Sequence, residues 1–216
     1  MRYPWIDEYL LKKRAVTKDL QPEWNWIRYQ IGGKMFAAIC LDRENIPYYI
    51  NLKLEPMEGE FFRSRYHDIL PGYYSNKEHW NSVKPDGEVP DDVLKDLLDK
   101  SYQLVLGGFS KKKQREILGL SCCGTECTNC NCYGSLCTGC NESSGKVFHA
   151  PAGKACPIYQ CSVGKSKFAT CASCEKMPCA IWNATRDPKM SQEEFEASVH
   201  ERAANLNLIN LNLNYN

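Results

Sequence analysis

Apolar positions follow two clear periods in the first half of this chain and lose their pattern in the second. Ile6 to Lys13 reads as a short opening helix. From Trp24 to Ile31, aromatic and β-branched residues fall at roughly every second position, the pattern of a half-buried strand. Gly32-Gly33 then supplies a two-residue hairpin turn, and Lys34 to Leu41 is the returning strand. Pro47 to Leu54 makes a third strand, with Tyr49, Asn51 and Lys53 on one face and Tyr48, Ile50, Leu52 and Leu54 on the other. Pro56 suits the first position of a helix that runs to about Tyr66. Leu70-Pro71-Gly72 reads as a turn, His79 to Lys84 as a fourth strand and Pro85-Asp86-Gly87 as another turn.

The strongest helical pattern follows Pro90. Asp91 and Asp92 occupy the first turn, where the helix dipole favours acids, and Val93, Leu94, Leu97, Leu98 and Val105 form a stripe at helical spacing. Gly107-Gly108 ends it, and a shorter helix is expected from Ser110 to Leu118. Helix, antiparallel strands and then helices predict an α+β fold, an antiparallel sheet with helices on one face.

At Gly119–Ser121 the composition changes to short Cys, Gly, Ser and Asn segments. Three regions are therefore expected: an α+β domain over residues 1–118, a small metal-stabilised cysteine-rich domain over 122–204, and a biased tail over 205–216. So little apolar content buries too little surface to fold alone, and ligation of metal supplies the missing stability. Within the second region, Ser191 and Glu194 form a capping box before a helix with Phe195, Val199 and Ala203 on its apolar edge. The tail alternates Asn with Leu or Ile, which fits either an added strand or a disordered end.

Composition narrows the function classes. The chain is 43% hydrophobic and 25% charged, with a formal net charge of +1, so nothing draws it globally to nucleic acid or anionic lipid. Residues to Leu118 carry 19 Lys/Arg against 18 Asp/Glu, and the remainder 8 against 8. No apolar run approaches the ~18 residues of a membrane span, and the first residues do not form a secretory signal. A cytoplasmic protein without membrane association is the expectation.

One stretch of likeness runs through the first region. Ile31-Gly32-Gly33-Lys34-Met35-Phe36-Ala37-Ala38, Tyr49-Ile50-Asn51-Leu52-Lys53, Pro71-Gly72-Tyr73, Asn76 to Val83 and Asp99 to Val105 together resemble the MmcQ/YjbR family. That resemblance implies a compact α+β domain of the CyaY-like type, related to double-wing folds, and brings with it a DNA-binding role suggested by fold analogy.

Of thirteen cysteines only Cys40 precedes residue 120; the other twelve lie between Cys122 and Cys179. Without an export signal, clustered cysteines point to metal ligands rather than disulfides. Cys127-x2-Cys130, Cys137-x2-Cys140 and Cys171-x2-Cys174 are three two-residue-spaced pairs. Such spacing lets a tight turn aim both sulfurs at one ion, and two turns complete a four-thiolate zinc site with Zn–S of ~2.3 Å. The candidate ligands are Cys123, Cys127, Cys130, Cys137, Cys140, Cys156, Cys161, Cys171, Cys174 and Cys179, enough for two zinc ions, with pairing left open. Cys122 and Cys132 read as bystanders and His149 as a solvated loop residue that is otherwise a nitrogen ligand.

Cys123-Gly124-x2-Cys127-x2-Cys130-x2-Tyr133, Cys156-Pro157-Ile158-x2-Cys161 and Cys171-x2-Cys174-x3-Pro178-Cys179 also resemble a small prokaryotic cysteine-rich family of unknown function that is taken to bind zinc. Met177 stands where many of its members have an aromatic residue. An iron–sulfur cluster is the alternative, because Cys123-x3-Cys127-x2-Cys130 has the spacing of radical S-adenosylmethionine enzymes. The roughly 85 residues that follow are too few for the βα barrel of those enzymes.

Three functions follow. The first is a binding or regulatory module that contacts a macromolecular partner, nucleic acid being one, through Arg63, Arg65, Tyr73, Tyr74, Lys77, His79 and Trp80, with Lys111, Lys112, Lys113 and Arg115. Eight thiolates on two zinc ions would leave the second region at a formal −4, so phosphate contact belongs to the first. The second is an enzyme, for which the sequence offers no nucleophile elbow, zincin motif or phosphate-cradling loop, only His67 and His79 beside Asp68 and Glu78. The third is a metal or thiol-redox sensor using the surplus cysteines.

Overall fold

A computed structural model describes residues 1–73 and 75–207. It divides into two compact units between Phe109 and Ser110. The helix expected to close the first domain therefore belongs to the second unit.

The first unit opens with α1 (Ile6–Leu11), followed by strands β1 (Val16–Gln21), β2 (Trp26–Ile31), β3 (Lys34–Leu41) and β4 (Pro47–Lys53). Then come α2 (Pro56–Arg65), β5 (Ile69–Pro71), β6 (Trp80–Val83) and α3 (Asp91–Gly107). The six strands form one antiparallel sheet in the order β1-β2-β3-β4-β6-β5. Gly32 and Gly33 carry φ of +56° and +78°, the positive pair that a tight hairpin between twisted strands requires.

Two strands were not expected. β1 is mostly exposed and takes its conformation from a six-residue register with β2, Val16 facing Ile31 and Gln21 facing Trp26. β5 (Ile69–Pro71) takes in the first two residues of Leu70-Pro71-Gly72, which reads as a turn, and its Leu70 faces Ser82 of β6. The neighbouring Gly72 is pressed so close to Trp80 that an added Cβ would stand 2.6 Å from the Trp80 Cβ.

Helix α3 packs on β2, β3 and β4; Leu94, Leu97, Leu98 and Val105 of the expected stripe are buried, joined by Tyr102, while Val93 is only half-buried. Its Ser101 ties two strands at once, donating from Oγ to the Phe36 carbonyl at 2.5 Å and accepting from the Lys53 N–H at 2.7 Å. Asp99 holds the end of α1, accepting from Tyr9 and from the buried Lys13 ammonium. Trp26, Ala38 and Cys40, with Met35, Tyr48 and Tyr49 against them, form a separate small cluster.

The second unit is short elements around a small core. α4 (Lys111–Leu118) is capped by Ser110, whose Oγ accepts from the Lys113 N–H at 3.2 Å. Helical turn α5 (Pro157–Tyr159) widens into a π-type segment over Gln160–Lys165, and α6 (Ala180–Asn183) and α7 (Gln192–Asn207) follow. The expected capping box of α7 is present: Ser191 N–H donates to Glu194 Oε2 at 2.8 Å, and Glu194 N–H to Ser191 Oγ at 3.1 Å. Leu118, Leu120, Ile158, Trp182, Phe195 and Leu206 are buried. Asn205, Leu206 and Asn207 continue α7 instead of beginning a tail; residues 208–216 lie outside the described residues. No helix among the described residues is long and apolar enough to cross a membrane.

Candidate metal centre

The cysteine pairs fold locally as their spacing requires. Cys127–Asn129 and Cys171–Ser173 each form one 3₁₀ turn, closed by Cys130 N–H to Cys127 O at 3.0 Å and Cys174 N–H to Cys171 O at 2.9 Å. After each turn the backbone becomes extended, so both cysteines of the pair end the same knuckle. Thr170 caps the second turn, its Oγ1 accepting from the Ala172 N–H at 3.3 Å. In the third pair, the Gly139 N–H donates to Cys137 Sγ at 3.4 Å. Cys156 immediately precedes α5, and the N–H groups of Tyr159 and Ile158 donate to its sulfur.

Eleven of the twelve clustered cysteines line two cavities. The larger, about 80 Å³, is bounded by Cys122, Cys123, Cys127, Cys130, Cys137, Cys140 and Cys156, with His149 also in its lining. The smaller, about 30 Å³, is bounded by Cys161, Cys171, Cys174 and Cys179. Buried Ile158 lines both and is the wall between them. All ten expected ligands therefore face a cavity. Cys132 lines neither; its carbonyl accepts from the N–H groups of Leu136 and Cys137. Cys122, expected to be a bystander, is buried in the larger cavity as the hydrogen-bond partner of Cys140.

The electrostatics are those of thiols kept from water. The contact with Cys140, then burial, drives the Cys122 thiol upward, while the same hydrogen bond, with help from the Arg115 guanidinium, lowers Cys140. Burial pushes Cys171 up to about 11, against the Trp182 indole and the Ser162 hydroxyl, both of which favour its ionised form. Burial alone raises Cys40 in the first unit, far from this chemistry in the chain.

The donor set suits a thiophilic ion: sulfur ligands, backbone N–H groups directed at them, and a buried hydroxyl, Ser162 Oγ, that has no hydrogen bond of normal geometry. The sulfurs line the cavities without closing into a coordination shell. Among the described residues no three His, Cys, Asp or Glu side chains stand in an arrangement that would hold an ion.

The basic and aromatic set is divided between the two units. Arg63, Arg65, Tyr73, Lys77, His79 and Trp80 lie in the first unit, and Lys111, Lys112, Lys113 and Arg115 in the second. Arg63 donates to Asn81, and Arg115 is only 3% exposed, with Nε donating to Asn141 Oδ1 at 2.5 Å and Nη1 to the Ala169 carbonyl at 3.1 Å. Arg115 is thus a core residue, not a contact. Tyr74 lies outside the described residues. Asp68, one of the acid–base candidates, is engaged by Lys84 at 3.1 Å and by the Glu88 N–H at 2.9 Å.

Comparison with known proteins divides the chain in the same way. The YjbR family model matches residues 11–104, and one described as "Protein of unknown function (DUF3795)" matches residues 134–184. The "Uncharacterized protein YbdF" of Escherichia coli O157:H7 is 37% identical over 89 residues, 41% of this chain and 71% of that protein. The "Uncharacterized protein YjbR" of Escherichia coli K12 is 27% identical over 113 residues, 52% of this chain and 94% of that protein. Among solved structures, Deinococcus radiodurans DR2400, described with the domain DUF419, is 30% identical, with a TM-score of 0.47 over 54% of this chain and 86% of its own. Through its first unit, the chain belongs to the YjbR family.

Proposed function

We propose that the second unit is a thiolate metal-binding module for two zinc ions, and that the whole protein is a cytoplasmic binding or regulatory module rather than an enzyme. The observation that carries this reading is the gathering of all ten expected ligands on two cavities separated by one buried isoleucine. The ligands would be Cys123, Cys127, Cys130, Cys137, Cys140 and Cys156 on one side and Cys161, Cys171, Cys174 and Cys179 on the other. Zinc, when bound, supplies cross-linking of short segments whose own core is small. The chain's residues do the rest: tight turns present the sulfurs, backbone N–H groups support them, and Ile158 keeps the cavities apart.

For the first unit the same reading keeps the CyaY-like, double-wing comparison, and a macromolecular partner bound through that unit alone. Arg65 and Lys77 are the exposed cations of the original set there. A single iron–sulfur cluster is the second reading, favoured by the presence of Cys123, Cys127 and Cys130 on one cavity.

Metal analysis of anaerobically purified protein, with an absorbance spectrum, tests both. About two zinc ions and no visible absorbance is the expected result. Iron with sulfide and a broad band at roughly 400 nm would replace zinc by a cluster. Protein that folds and holds no metal would overturn the module reading altogether.

A further inference from the structure

The two cavities differ in a way that bears on which cysteines share an ion. The larger is lined by seven cysteines, more than one tetrahedral ion uses. The smaller is lined by four and no other cysteine. Those four come from separate local devices. Cys171 and Cys174 are the two ends of a 3₁₀ knuckle. Cys161 lies in the wide-turn Gln160–Lys165 segment, a rare distortion that is frequent at functional sites. Cys179 precedes α6, and the bond from Trp182 N–H to Cys179 O at 2.9 Å closes the turn that returns the Trp182 ring to the same cavity.

Around Cys171 stand two donors. Trp182 is 1% exposed and Ser162 is 4% exposed, and both line the smaller cavity with Cys171. Ser162 Oγ nonetheless lacks a hydrogen bond of normal geometry. A buried hydroxyl without a partner in a cavity lined by four cysteines is a donor waiting for an acceptor, and a metal-bound thiolate is a strong acceptor where a neutral thiol is a weak one. Hydrogen bonds of this kind orient ligands and tune affinity at metal sites generally.

Resting on the thiolate reading above, we infer that Cys161, Cys171, Cys174 and Cys179 form a closed zinc site of their own, and that Ser162 and Trp182 are its positioning residues, donating to the Cys171 thiolate. Four of the six remaining ligands then serve a separate ion in the larger cavity, and Ile158 insulates one from the other.

The test uses the full chain, loaded with zinc and then with cobalt, and reads stoichiometry, competition by a chromophoric chelator and the thiolate-to-cobalt charge-transfer spectrum. Cys161→Ser, Cys174→Ser and Cys179→Ser should each remove the same single ion and leave the other, while Cys127→Ser should remove the other one. Ser162→Ala should keep both ions but weaken one of them by about 10- to 100-fold in chelator competition and shift its cobalt spectrum. Trp182→Phe should act on that same ion. Loss of both ions from one cysteine variant that keeps its far-UV circular dichroism would overturn the assignment. If a cysteine variant unfolds, Ser162→Ala decides: unchanged affinity and unchanged spectrum would overturn the positioning role. Wild-type protein without metal would instead defeat the underlying thiolate reading.

Discussion

Lys13 and Asp99 offer the sharpest test of how the first unit is held together. The Lys13 side chain is 2% exposed and that of Asp99 9%. The ammonium bonds to Asp99 Oδ1 and lies 4.4 Å from the centre of the Tyr9 ring, while Tyr9 donates its hydroxyl to both carboxylate oxygens at 2.8 and 2.9 Å. Helix α1 has six residues, too few to persist alone, so it is held by burial of Ile6 and Leu10 together with this cluster to Asp99 of α3. Asp99→Asn removes the charge that balances a buried ammonium, which costs about 3–5 kcal/mol. Against a total of ~5–15 kcal/mol, that is about a fifth or more of the unit's stability.

Lys13→Met with Asp99→Leu removes both charges and should recover most of the loss, giving a coupling of about 2 kcal/mol or more. The pH dependence has a definite sign. Burial, opposed by Asp99, holds Lys13 below the ordinary lysine range. Between its folded value and the ordinary one the unfolded chain binds more protons, so stability rises with pH there. Without Asp99 the folded value falls further and that window widens downward. Urea unfolding followed by tryptophan fluorescence reads this, since Trp5, Trp24, Trp26 and Trp80 are in the first unit and only Trp182 in the second. A cost below about 1 kcal/mol, or a double variant no better than Asp99→Asn, would refute the reasoning.

Three further outcomes are expected. Gly124→Ala should cost about 2–3 kcal/mol and raise amide exchange along α7, because a Cβ there would stand 2.2 Å from the Arg202 carbonyl on a backbone with φ +81°. The Glu88 N–H, followed by Lys84, holds the Asp68 carboxyl below the usual carboxylate range, so its contribution is full above about pH 4 and lost as pH falls through the folded value. Denaturation between roughly pH 2 and 5 should accordingly be flatter for Asp68→Asn. Cys40 should resist thiol reagents in the native protein, and Cys40→Ala should leave the metal content unchanged, because Cys40 is 1% exposed and lies in the first unit.

The paired glycines, the apolar stripe of α3 and the Ser191/Glu194 box were legible because each is a local device whose geometry its own residues determine. β1 was not, since Val16-Thr17-Lys18-Asp19-Leu20-Gln21 shows its side chains mostly to solvent and is a strand only by its ladder with β2. β5 was hidden by Pro71-Gly72, a turn signal that here accompanies the close approach to Trp80. The knuckles could be read from spacing, but partition of the cysteines could not. Cys156 and Cys161 are five positions apart and line different cavities, because Ile158 on the intervening helical turn separates them. That depends on which side of α5 is buried, a tertiary fact.

Arg115 is the residue whose role changed most, and its placement follows from the helix that carries it. Lys111, Lys112 and Lys113 are exposed on α4, while Gln114, Arg115 and Leu118 turn inward. The guanidinium is held by Asn141 and by the Ala169 carbonyl, lies 5.9 Å from the centre of the Tyr159 ring and favours the ionised form of Cys140. Thiolates around two zinc ions would carry more negative charge than the ions neutralise, and a buried cation among them offsets part of the excess. Arg115→Met orphans Asn141 and the Ala169 carbonyl and should destabilise the unit by about 3 kcal/mol whatever the metal content. If the guanidinium also balances thiolate charge, the loss must be larger in zinc-loaded protein than after chelation, and Arg115→Lys must restore part of that difference. Equal losses in the two states would leave Arg115 a packing and hydrogen-bonding residue only, and would remove it from the electrostatics of the metal centre.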